Sequence, residues 1–206
     1  MANKCTSDKD LYENVEFCQG SASLPGVRPH MYLTRRSNIV VFPKVKGDDA
    51  TKLEDVAVIK ENFVLVEGKK WIKIDLVEGE SEPTCENQGN EGSKSFLNRV
   101  QFVAPGTQKK VTGLISKLNN DDVVILYPQR DGAIRVIGNE MFRVQLELAQ
   151  NAGKAVTDSS QSTINASVSD INPAPFYEGT FETEDGTISG IDDTVQPEEE
   201  EEDGKE

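Results

Sequence analysis

A mainly β fold is predicted by this sequence: a β-sandwich or barrel with one flanking amphipathic α-helix, long loops and a disordered acidic C-terminal tail. Short apolar runs recur along the chain between Gly, Pro and Asn turn signals, several of them alternating with period two. Helical spacing is convincing only at Val111, Leu114, Ile115 and Leu118. The charge is also unevenly placed. Residues 1–154 carry 21 basic and 21 acidic side chains, whereas residues 155–206 carry 15 acids against Lys205 alone, so the last quarter holds all of the net −14.

Taken in order, Gly20-Ser21-Ala22-Ser23, Pro25-Gly26 and Pro29 mark a loop-rich entry. A strand is predicted over Ser37 to Pro43, followed by a polar excursion from Gly47 to Asp55 and strand candidates at 56–59 and 63–66. Gly68-Lys69 reads as a turn before Trp71 to Leu76, where Ile72, Ile74 and Leu76 alternate with Trp71, Lys73 and Asp75. Residues 78–94 have too little apolar surface to offset the entropy of ordering them, which predicts a long loop or projecting arm.

Phe96 to Val103 alternates as a strand and Pro105-Gly106 stops it; Thr107 is then placed to cap the helix. Val123 to Tyr127 is a buried strand. Asp131-Gly132 supplies a hairpin turn, because both positions tolerate positive φ, and Ile134 to Ile137 returns. Further strands fall at 142–148, 164–168 and from Pro173 to Phe181, where Asp185-Gly186 closes the last one. The expected organisation is a single β-rich assembly domain over 1–186 and an acidic disordered tail over 187–206. No internal repeat points to a solenoid or propeller.

An anionic excess of this kind repels phosphate backbones and anionic membranes, which argues against tight nucleic-acid binding or membrane adsorption. Cys5, Cys18 and Cys85 form an odd set without CxxC spacing beside a lone His30, so neither a disulfide framework nor a zinc site is expected. The polar start and the lack of a long apolar run predict a protein made and kept in a cytoplasm.

Chemistry-bearing patterns are sparse. Asp48-Asp49 and Asp121-Asp122 are adjacent pairs whose side chains diverge on extended chain, so they read as turn or helix-end residues rather than a proton-sharing dyad. His30 lies in no nucleophile motif, and no Walker A, GxGxxG or HExxH is present. Asn165-Ala166-Ser167 matches a glycosylation acceptor by chance. Arg28, Arg35, Arg36, Lys44 and Lys46, interleaved with Tyr32 and Phe42, read as a solvated strand face or as a docking surface for an acidic partner. Catalytic, cofactor-binding and metal-ligating residues are all expected to be none, and the chain is expected not to be an enzyme.

Phe96 to Gly106, the helix after it, Asn119-Asn120-Asp121-Asp122-Val123-Val124, Gln129-Arg130-Asp131-Gly132 and Arg135-Val136-Ile137-Gly138-Asn139-Glu140 resemble phage and prophage virion proteins of the tail-tube type, especially those carried by Bacteroidota. Pro173-Ala174-Pro175-Phe176-Tyr177-Glu178-Gly179 fits the same resemblance, which spans about residues 95–180. It implies a structural subunit located in the virion, assembled in the host cytoplasm and stacked as rings, commonly hexameric, around a DNA conduit. The implied partners are copies of itself and neighbouring tail or connector proteins, with no cofactor, no sequence-specific nucleic-acid binding and no membrane. Two alternatives stand beside it: a head-to-tail connector ring, and a non-viral binding module or assembly chaperone whose acidic tail engages a basic client.

Overall fold

The computed structural model describes residues 11–16, 19–20, 24–47 and 50–196. Cys5, Cys18, Asp48-Asp49 and the acidic run from Glu198 to Asp203 lie outside these residues. In chain order the strands are β1 (His30–Arg35), β2 (Ile39–Val41), β3 (Val58–Ile59), β4 (Val64–Leu65), β5 (Ile72–Asp75), β6 (Glu82–Gln88) and β7 (Ser95–Pro105). After the helix α1 (Lys109–Leu118) come β8 (Val123–Pro128), β9 (Ile134–Ile137), β10 (Gln145–Asn151), β11 (Gln161–Asp170), β12 (Phe176–Tyr177), β13 (Thr180–Thr183) and β14 (Gly186–Ser189).

The predicted β-rich class with one helix is what the chain adopts, and no barrel closes. A six-stranded sheet in the order β3-β12-β9-β8-β1-β5 faces a four-stranded sheet in the order β10-β11-β7-β6. Pairing is antiparallel throughout except between β12 and β3. The two-stranded pairs β13-β14 and β2-β4 complete the architecture. The six-stranded sheet buries both faces, which explains why its central strand β8 is a continuous apolar run with every residue buried. Met31, Leu33, Ile125, Tyr127 and Ile137 turn toward Val100, Phe102, Ile164 and Ala166 of the four-stranded sheet. Tyr32, Val124, Leu126 and Val136 turn the other way, into a second core with Trp71, Tyr177, Phe181 and Ile188. That second core is aromatic: Trp71 meets Phe63 and Phe181 edge-on, with ring centroids 5.3 and 5.8 Å apart. The Tyr177 phenol, pushed up to about 12 by burial, accepts from Phe63 N and donates to Thr180 O.

Three of the four residues of the helical stripe pack as their spacing predicts, Leu118 buried and Leu114 and Ile115 half-buried against the first core, whereas Val111, in the first turn, is half-buried outside it. Thr107, however, is not the cap. Gln108 holds that position without a side-chain bond, and the Thr107 hydroxyl pairs with Ser160 Oγ at 3.1 Å.

Further expectations change on folding. The segment 78–94 is not a free loop: Glu82–Gln88 pairs along its whole length with Ser95–Gln101 as an edge strand. Backbone pairing to an already ordered neighbour supplies what its polar side chains do not. The entry segment leads into an interior strand, β1, whose residues Met31 to Thr34 are buried although the stretch reads in sequence as a solvated strand face. Finally, the chain stays folded beyond Thr187. Ile188 is buried, Val195 bridges back to Ile188, and Gly190 N donates to Gly179 O.

The Asp131-Gly132 turn forms where predicted, and Gly132 has φ +103°. A Cβ there would lie 2.6 Å from the Asp192 carbonyl oxygen. Gly132→Ala therefore combines a left-handed backbone with a collision against main chain, and is expected to cost about 1–2 kcal/mol. A urea midpoint equal to that of the parent would show that the returning C-terminal segment does not constrain this turn.

Candidate functional site

The basic stretch is where sequence reasoning looked for a partner, and the fold supplies acidic partners from its own chain. β1 presents His30 and Tyr32 on the face that the 186–196 segment covers. Asp193, with its side chain only 2% exposed, accepts from Arg28 Nη1 at 2.9 Å, His30 Nε2 at 2.8 Å and Tyr32 Oη at 2.8 Å. Burial works to raise the Asp193 pKa, but the hydrogen bonds and positive charge from these partners outweigh it and hold the carboxyl below its ordinary value. The Tyr32 phenol is pushed up by burial first and by its Asp193 hydrogen bond second. Asp193 sits at φ +59°, a conformation that Asp tolerates better than most residues.

The rest of the stretch is matched in the same way. Arg35 Nε lies 2.6 Å from Asp121 and Arg36 Nε 3.7 Å from Asp122, which Arg143 also approaches. Arg36 donates to the Asn139 and Glu140 carbonyls as well. Lys44 pairs with Glu140, while Lys46 and Lys60 converge on Asp55. The expected docking surface for an acidic partner is thus internally neutralised. The Asp121 and Asp122 carboxylates serve different arginines.

Behind Phe42 a cavity of about 230 Å³ opens between the layers, walled by Ile59, Phe63, Val136 and Phe142. Asp170 stands at its edge, its pKa raised by burial although Asn139 Nδ2 donates to it at 2.7 Å. Met141 and Ile171, 79% and 68% exposed, flank the mouth. An apolar side chain suits this opening better than a charged group.

Two open edges bound the four-stranded sheet: β6 and β10, each seven residues long. β6 carries Glu82, Pro83 and Glu86, which discourage indiscriminate edge pairing. Cys85 is exposed on the same strand. Among the described residues no group of three or more His, Cys, Asp or Glu is placed to hold a metal ion, and no helix is long and apolar enough to cross a membrane. Comparison with protein-family models, with curated proteins and with solved structures yields no match.

Asp193 is the residue that sequence reasoning missed. Its partners stand more than 160 positions away, and nothing local distinguishes it from the acids that follow.

Proposed function

We propose that the chain is a structural subunit that assembles with copies of itself, as a virion protein of the tail-tube type. The observation that carries this reading is the pair of equal-length open edges on one sheet. Edge β6 of one copy laid along β10 of the next pairs main-chain groups that would otherwise face water. Such a contact joins two different surfaces, so it is heterologous, and repetition closes a ring or continues as a helix. The mutually neutralised charges around Arg28 to Lys46 support the reading locally, since a surface whose charges are already paired meets a neighbouring copy without strong repulsion. The cavity behind Phe42 offers a second contact, for an apolar side chain of a neighbouring copy or tail protein.

The test is sedimentation with negative-stain imaging of the purified chain at increasing concentration. Rings or short tubes are expected, and Thr84→Glu with Asn87→Glu on β6 should return them to folded monomers, because the only charged residue of β10 is Glu147, so like charges then face each other along the paired edge. A parent that stays monomeric at every concentration would refute self-assembly. Removing residues 79–93 is a poor substitute for these variants: it deletes a paired strand and exposes β7.

A further inference from the structure

Resting on the self-assembly reading above, we infer that a cleft centred on Arg135 is a carboxylate-binding site that takes the acidic run Glu198–Asp203 of a neighbouring copy. Arg135 projects from β9 toward the four-stranded sheet, as its cross-strand partner Tyr127 does. Its guanidinium stacks on Phe176 at 3.7 Å and donates through Nη1 to Ala174 O at 2.7 Å. Its Nε is buried and makes no hydrogen bond. Unlike the arginines around Asp193, Asp121 and Asp122, it has no acidic partner among the described residues. It lines an opening of about 150 Å³ with Arg99, Gln129 and Thr84, which offer further donors beside the apolar Pro83 and Ile137, whereas the Asn98 amide is already taken up by Asn172 O and Ala174 N. Arg99 already meets Glu86, but at 3.4 Å and with both side chains more than half exposed, so that pair is weak and can rearrange.

Charge complementarity selects the occupant. The chain has one dense carboxylate run, Glu198 to Asp203, and it lies just past the described residues. The neighbouring copy is favoured over the same chain by where the fold ends. Gln196 N is bonded to Thr187 O on β14, across the six-stranded sheet from the Arg135 cleft. The last described residue thus lies on the face of the sheet opposite its own cleft, which favours a cleft on another copy.

The experiment uses the full chain with Glu198 to Glu202 all changed to Gln, so that its own tail does not compete, and a fluorescein-labelled peptide of residues 196–206. Anisotropy titration is expected to show saturable binding that weakens as salt rises. Arg135→Gln should weaken it at least tenfold. Arg99→Gln, on a half-exposed side chain that leaves the core untouched, should weaken it about threefold. Absence of binding, or binding that neither variant changes, overturns the site. Imaging the same samples separates the two ideas. Rings without peptide binding remove the tail contact and leave self-assembly standing, whereas peptide binding by a permanently monomeric protein removes the neighbouring copy as its source.

Discussion

Replacing Leu118 by Asp is expected to unfold the body of the protein. Leu118 closes the apolar stripe of α1 and is buried in the core between the two large sheets, beside the half-buried Leu114 and Ile115. A carboxylate there loses the leucine contacts and gains no cation, since the only basic residue in the last helical turn is Lys117, on the exposed side. The combined cost is about 4 kcal/mol or more, a large share of the ~5–15 kcal/mol that stabilises a domain. For a chain of this size that corresponds to a Tm lowered by roughly 10–15 °C. Leu114→Asp, at a half-buried position, should cost less than half as much. Thermal melts followed by circular dichroism distinguish the cases, and equal, small shifts for both variants would mean that α1 does not seal the core.

Asp193→Ala is expected to have the next largest effect, about 3 kcal/mol, because it strands three donors, on Arg28, His30 and Tyr32, that now converge on one buried carboxylate. The loss should be local as well as global, with protease cleavage appearing between Gly190 and Gln196 well below the Tm. A pH dependence accompanies it. The folded pKa of Asp193 lies below its unfolded value near ~4, so its contribution is full above that value and disappears as pH falls through the folded one. The stability gap between the parent and Asp193→Asn should therefore be widest above about pH 5 and narrow steadily in stronger acid. A gap that is constant from pH 7 to pH 2 would show that the Asp193 charge plays no part in holding the segment.

This second result reverses what the composition alone implies for the end of the chain. From Thr187 onward the sequence is polar and acidic, with Ile188, Ile191 and Val195 as its few apolar residues, and it reads as a dispensable tail. In the structure Ile188 enters the aromatic core beside Trp71 and Phe181. Asp193 then fastens the same segment to β1, so the dispensable part starts no earlier than Pro197.

Legible in the sequence were the β-rich class, the helix with its core-facing stripe, the strands from β7 to β9 and the Asp131-Gly132 turn. These features are written in local periodicity and turn chemistry, which act over a few residues and survive whatever packs on top. Only in the folded chain do polar residues 82–88 become an edge strand, does His30–Arg35 become an interior strand buried between β8 and β5, and do Arg28 to Lys46 find their acids at Asp55, Asp121, Asp122, Glu140 and Asp193. Most of those pairings join positions tens to more than a hundred residues apart. The hairpin of β6 with β7 and the Lys46–Asp55 pair are closer in sequence, but the longer-range pairs exist only once the chain has folded, so no short window of sequence contains both their halves.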